Sequence, residues 1–133
     1  MRILVRNHLG AGDHAMMLSA VRWLAQHHDV SAYGSDSLYQ HTGIQMVSPS
    51  VADEAFDLVL PVGWDPTGSC PAWTSAAWAR AGVVLPSAQE LPVGCVFSVE
   101  EQAALAAAHN PRRIGVFPYT TIKEKNLAPE VVR

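Results

Sequence analysis

A glycine-rich turn between an apolar run and a helical pattern is the feature that most constrains how this chain can fold. The apolar run covers residues 3–5, and the turn at residues 7–12 ends in Gly10-Ala11-Gly12. In residues 14–27, Met17, Val21 and Leu24 form one helical stripe. Residues 30–34 have the length and composition of a second strand. This order predicts a βαβ unit whose two strands are parallel in one sheet.

The rest of the sequence continues the alternation of helices and strands. Helices are predicted at residues 35–42 and 72–81, closed by Gly43 and Gly82, and from the capping box of Ser98 and Glu101 to His109. Further strands are predicted at residues 44–47, 56–60, 83–85 and 114–117, the second of them stopped by Pro61. The pattern predicts an α/β fold, a Rossmann-like parallel sheet flanked by helices. Residues 1–110 are expected to form one domain, and residues 111–133 to begin a second, truncated βα unit.

Composition narrows the classes of partner. Of the 133 residues, 49% are hydrophobic and only 16% are charged, so we expect another protein surface, such as a second copy in a homo-oligomer, to cover part of the apolar surface. The net charge is −3 and the longest basic cluster is Arg112-Arg113, which argues against nucleic acid as a partner. Cys70 and Cys95 form no CxxC motif, which favours a reduced, cytoplasmic protein over one with a single bridge. No apolar run is long enough for a transmembrane segment.

The glycine turn carries an acidic residue. Gly10-Ala11-Gly12-Asp13-His14-Ala15 matches the relaxed dinucleotide fingerprint GxGxxA, but Tyr33 and Gly34 stand where that fingerprint expects a ribose-binding acid, and Asp36 lies just beyond. A carboxylate at a helix N-terminus itself occupies the position of a bound anion. Such a carboxylate can accept a proton from a substrate hydroxyl, so Asp13 is a candidate general base. The alternative is that Asp13 is simply the helix N-cap.

Other side chains near the turns are candidate substrate contacts. His8 and His14 flank the glycine turn, where they either bind substrate or serve the structure. Trp64 follows a predicted strand and is placed to stack on the ring of a substrate, whereas Trp73 and Trp78 are expected to pack in the core. Cys70 is either a nucleophile at a helix start or a structural cysteine, and the absence of a partner histidine favours the structural role. No set of ligands at suitable spacing predicts a metal site.

Two segments together resemble the bacterial heptosyltransferases. Residues 3–24, with Leu9-Gly10-Ala11-Gly12-Asp13, are similar to the family's first strand, "LGD" loop and helix. Residues 113–118 and 125–130 are similar to the block that opens its nucleotide-sugar-binding domain, and residues 56–60 to its "YDLVID" strand.

The resemblance implies one half of a GT-B fold, in which two Rossmann-like domains face each other across the active site. Residues 1–110 would bind the acceptor, a glycan or lipid-linked sugar. Asp13 would be the catalytic base, Gly10 and Gly12 would shape the cleft, and Lys125 would meet the donor's diphosphate. The family transfers a sugar from a nucleotide-diphosphate sugar with inversion of configuration at the anomeric carbon, and it uses no cofactor. It also implies a cytoplasmic protein with peripheral contact to the inner membrane, and this chain alone would lack a donor site.

Two other functions fit the same residues. The chain could be a small Rossmann-like nucleotide-binding module, which would need a free helix N-terminus above Gly12 and a ribose-binding acid near Asp36. It could also be a non-catalytic oligomeric interaction module, in which Asp13 is a buried cap and residues 112–133 pack against a partner chain.

Overall fold

The computed structural model describes residues 1–33, 36–64 and 70–108, and its centre is a parallel β-sheet. The four strands are β1 (Arg2–Asn7), β2 (Asp29–Tyr33), β3 (Gln45–Met46) and β4 (Leu58–Val62). They lie in the order β3-β2-β1-β4, and every pair is parallel. The predicted α/β fold with a Rossmann-like parallel sheet is therefore confirmed. All four strands point their carboxyl ends to the same edge of the sheet.

Helices follow the strands as the sequence pattern predicts. They are α1 (Ala11–Ala25), α2 (Asp36–Tyr39), α3 (Cys70–Arg80) and α4 (Val99–Ala108), with a short 3₁₀ turn at Asp53–Ala55. Gly82, at φ +85°, ends α3 in a Schellman motif, in which the Val83 N–H donates to the Trp78 carbonyl at 2.9 Å.

The chain divides into two compact units, Met1–Ser98 and Val99–Arg133. In the second unit the described element is α4, which begins directly after Ser98, as the capping box predicts. The predicted domain boundary at residue 110, the strand at 114–117 and Lys125 lie outside the described residues.

The core is built on β1 and α1. Ile3, Leu4 and Val5 are fully buried, as expected for a strand that has a neighbour on each side and is covered on both faces. The predicted stripe of Met17, Val21 and Leu24 is also buried. The apolar face of α1 therefore fixes the helix on the sheet, and with it the position of the glycine turn.

Two sequence predictions about strands are wrong. Pro61 does not stop β4, which continues to Val62, because β4 is an edge strand of the described sheet and a proline there need not donate to a neighbour. Residues 83–85 do not form a strand. Val83 and Leu85 pack on the core while Val84 is exposed, so their alternation reflects a loop lying along the core without a strand partner.

Candidate functional site

A cleft of about 710 Å³ lies at the carboxyl edge of the sheet. Open α/β sheets bind ligands at this edge, because the strand ends and the following loops converge there. The cleft gathers residues from the ends of three strands and from the segments that follow them. Its described lining consists of Asn7, His8, Leu9, Tyr33, Met46, Val47, Ser48 and Pro49.

An imidazole and a phenol meet in this cleft. His8 follows β1 and is exposed, whereas Tyr33 ends β2 and is 5% exposed. The Tyr33 hydroxyl lies 2.6 Å from His8 Nε2 and also contacts His8 Nδ1, and the two rings meet edge to face with centroids 4.9 Å apart. The neighbouring pairing of β1 and β2 brings the two side chains together, so the hydroxyl restricts the orientation of the imidazole.

Arg6 ties one wall of the cleft to β1. Its guanidinium donates to Asp53 Oδ1 from Nε at 2.6 Å, to the Val51 carbonyl from Nη2 at 2.8 Å and to the Pro49 carbonyl from Nη1 at 3.4 Å. Its Cζ also lies 5.6 Å from the centroid of the Tyr33 ring. The Arg6 charge is therefore paired within the protein, and the wall that carries Ser48 and Pro49 is held in place.

The first turn of α1 lies at the same edge and carries Asp13. Gly10 is the N-cap residue, with extended backbone and no side-chain hydrogen bond to the helix. The interpretation of Asp13 as the N-cap is therefore wrong, because Asp13 lies inside the first turn, where its N–H donates to the Gly10 carbonyl at 3.1 Å. Asp13 is half-buried, and it lies at the positive end of the α1 helix dipole. A Cβ at Gly12 would meet nothing within 4 Å, so the outer surface of this turn is open.

Cys70 begins α3 close to Asp13. The thiol is 4% exposed and lies 3.9 Å from the Thr74 hydroxyl. Burial raises the pKa of Cys70; the hydrogen bond with Thr74 opposes this effect, and the charge of Asp13 adds to it. A thiol with a raised pKa is a poor nucleophile, which supports a structural role for Cys70.

The structure places His14 differently from His8. His14 is 1% exposed, and its Nδ1 lies 3.2 Å from the Tyr39 hydroxyl. Burial lowers the pKa of His14, against the opposing effects of the Asn7 backbone and of Asp13, and burial raises the pKa of Tyr39 to about 12. The two side chains form an uncharged pair in the core, and a direct substrate contact by His14 stays a prediction.

The tryptophans separate into core and surface residues. Trp78 is fully buried and donates from Nε1 to the Pro61 carbonyl at 2.8 Å. Trp73 is half-buried, and its ring lies against Gly63. Trp64, after β4, is 55% exposed, so it is the exposed tryptophan near the carboxyl edge. The described lining of the cleft includes neither Trp64 nor Asp13.

Sequence reasoning missed three polar residues of the cleft: Asn7, Tyr33 and Ser48. Their signal was available only as position, since each stands at or just after the end of a predicted strand. Within residues 1–33, 36–64 and 70–108, no group of three His, Cys, Asp or Glu side chains could hold a metal ion. Over the same described residues, no helix is long and apolar enough to cross a membrane.

Comparison with known proteins identifies no relative: no family model, curated protein or solved structure matches the chain. Any function must therefore be argued from the carboxyl edge itself.

Proposed function

We propose that this chain is the acceptor-side domain of a heptosyltransferase-like glycosyltransferase. The observation that carries the proposal is the pairing of two features at one edge of a parallel sheet. One is a cleft lined by imidazole and hydroxyl groups, and the other is the half-buried carboxylate of Asp13 in the first turn of α1. Hydroxyl and imidazole groups recognise the hydroxyls of a sugar, and the carboxylate can accept a proton.

The proposed reaction is a direct displacement. An acceptor hydroxyl attacks the anomeric carbon of a nucleotide-diphosphate sugar, and its proton passes to the Asp13 carboxylate. A new C–O bond forms as the bond from the anomeric carbon to the diphosphate oxygen breaks, and the nucleoside diphosphate leaves with the electron pair. In this proposal Gly10 and Gly12 shape the acceptor side of the active site between the two GT-B domains, and Trp64 offers an aromatic surface for a sugar ring.

Donor binding is assigned by the family resemblance. Lys125, which lies outside the described residues, would offset the charge of the departing diphosphate. The cytoplasmic location and the peripheral contact with the inner membrane are parts of the same proposal.

A nucleotide-binding Rossmann module is the second candidate. The strand order β3-β2-β1-β4 matches the first four positions of the dinucleotide-binding order 3-2-1-4-5-6, and the uncapped Gly10 and open Gly12 leave the helix start accessible. Asp13 weighs against it, because a carboxylate in the first turn repels a pyrophosphate placed there.

The test measures sugar transfer by the protein that carries this chain, with UDP-, GDP- and ADP-sugars as donors and a glycan acceptor panel. Asp13→Asn should lower the rate by about 10²- to 10⁴-fold, the usual contribution of a positioned base, while the melting temperature and nucleotide affinity hold. Asp29→Asn is the matched control, because it removes the same charge at the opposite edge of the sheet.

The outcomes separate the two candidates. An Asp13→Asn variant that transfers sugar at the wild-type rate would eliminate the assignment of the base. Nucleotide binding with no transfer to any acceptor would favour the nucleotide-binding module instead.

A further inference from the structure

The described charges around the cleft indicate what kind of ligand it accepts. Resting on the function proposed above, we infer that the cleft binds an uncharged, hydroxylated ring, a neutral sugar unit, in preference to a phosphorylated one. The inference depends on the pairing of Arg6, the position of Asp13 and the lining of the cleft.

Arg6 directly precedes the lining residues Asn7 and His8 in sequence and lies against the Tyr33 ring, but its donors are occupied. The guanidinium is bound to Asp53 and to the carbonyls of Val51 and Pro49. Its side chain is only 18% exposed. An anion in the cleft would have to compete with the Asp53 carboxylate for Arg6, so Arg6 offers little attraction to a phosphate.

Among the described residues, Asp13 places a negative charge at this edge of the sheet, outside the lining of the cleft. The Asp13 carboxylate is near enough to act on both His14 and Cys70, and it lies in the helix turn where an anion would otherwise bind. The chain as a whole carries a net charge of −3. Both contributions disfavour an anionic ligand and leave a neutral one unaffected.

The polar groups of the cleft suit hydroxyls. His8 is exposed at the cleft, and the Tyr33 hydroxyl lies against both of its ring nitrogens, so a ligand hydroxyl can share these hydrogen bonds. Ser48 presents an exposed hydroxyl that already lies 2.8 Å from the Ser50 hydroxyl. The lining also includes Asn7, whose Oδ1 accepts the Leu9 N–H at 2.9 Å while its buried Nδ2 has no partner among the described residues.

The other half of the lining is apolar. It consists of Leu9, Met46, Val47 and Pro49. A sugar ring has C–H faces as well as hydroxyls, so it can contact both kinds of surface. The volume of about 710 Å³ lies within the range of small-molecule sites and accommodates one or two sugar rings.

The experiment measures ligand binding to the 133-residue chain by saturation-transfer difference NMR at about pH 8, where imidazoles are ordinarily neutral. The ligands are a panel of neutral mono- and disaccharides, each paired with its phosphate ester. We expect at least one neutral saccharide to bind and its phosphate to bind more weakly. Tighter binding of the phosphates, or no binding by any neutral saccharide, would overturn the inference.

Two matched variants locate the binding. Tyr33→Phe removes the hydroxyl that orients His8 and should weaken saccharide binding by about three- to tenfold, the usual contribution of one hydrogen bond. Tyr39→Phe is the control, because it removes a hydroxyl that also contacts a histidine but lies in the core. It should leave the affinity at the wild-type value. Equal affinities for Tyr33→Phe and wild type would refute the site.

The result is distinguishable from a failure of the proposed transferase. Saccharide binding without any sugar transfer would refute the proposed transferase activity but would agree with this inference. Transfer to a phosphorylated acceptor in preference to its neutral form would overturn this inference and leave the transferase intact.

Discussion

Raising the pH should destabilise the protein through one buried phenol. Tyr39 is 4% exposed, its hydroxyl lies 3.2 Å from His14 Nδ1, and burial raises its pKa from 10.0 to about 12. Between these two values the unfolded chain has released the phenolic proton while the folded chain still holds it. The free energy of unfolding is therefore at its full value below pH 10 and falls as the pH rises toward 12.

The size of the effect follows from the shift. A shift of two pKa units corresponds to about 2.7 kcal/mol in total, of which about 1.4 kcal/mol is lost by about pH 11. Tyr39→Phe lacks the titrating group and loses one hydrogen bond, which costs about 1 kcal/mol at neutral pH. Wild type should therefore be the more stable protein at neutral pH, and the variant should equal or exceed it by about pH 11.

The measurement is urea unfolding of both proteins, followed by tryptophan fluorescence from neutral pH to about pH 11. Groups other than Tyr39 titrate in both proteins, so the difference between the two curves isolates the phenol. Because the chain has three tyrosines, the difference in tyrosinate absorbance between the folded wild type and folded Tyr39→Phe gives the pKa of Tyr39. A difference in the free energy of unfolding that stays constant with pH would refute the placement of Tyr39 in the core.

Three further predictions concern the same region. Burial lowers the pKa of His14 from 6.5, so on acidification the unfolded chain takes up the proton before the folded chain does. The free energy of unfolding should therefore fall as the pH drops below 6.5. His14→Gln should reduce this dependence on pH in the same unfolding assay. Gly63→Ala would place a Cβ 2.7 Å from Trp73 Cζ3 and should cost about 1–3 kcal/mol, a cost that a Trp73→Leu background should largely remove in a double-mutant cycle. A Cβ at Gly12 would enter open space, and alanine is the better helix former, so Gly12→Ala should raise the free energy of unfolding by about 0.5–1 kcal/mol. A free energy of unfolding below that of the wild type would contradict the open space at this position.

Local pattern was sufficient to predict the β1–α1–β2 unit. Met17, Val21 and Leu24 fall on one face because the helical period is set by the backbone, and all three are buried. The Gly82 C-cap was predictable for a similar reason, since a left-handed residue ends a helix and glycine adopts that conformation readily.

The composition of the cleft depends on tertiary contacts that the sequence pattern does not predict. The cleft forms only when the ends of β1, β2 and β3 are brought together, and β3 is a two-residue strand with little sequence signal of its own. His8 and His14 looked equivalent beside the glycine turn, yet one is exposed and the other faces the core. Residues 83–85 are a short apolar run like that of a strand, but they pack on the core as a loop, because an apolar run can be buried without a strand partner.

The most direct test of the central claim is to map where a neutral saccharide binds on the labelled chain by amide chemical-shift changes in NMR. We expect the shifts to concentrate at the carboxyl edge, in residues 7–9, 33 and 46–49, and to persist in Asp13→Asn. Shifts confined to the opposite edge, around Asp29 and Phe56, would contradict it, because the ligand would then be bound away from the His8–Tyr33 pair.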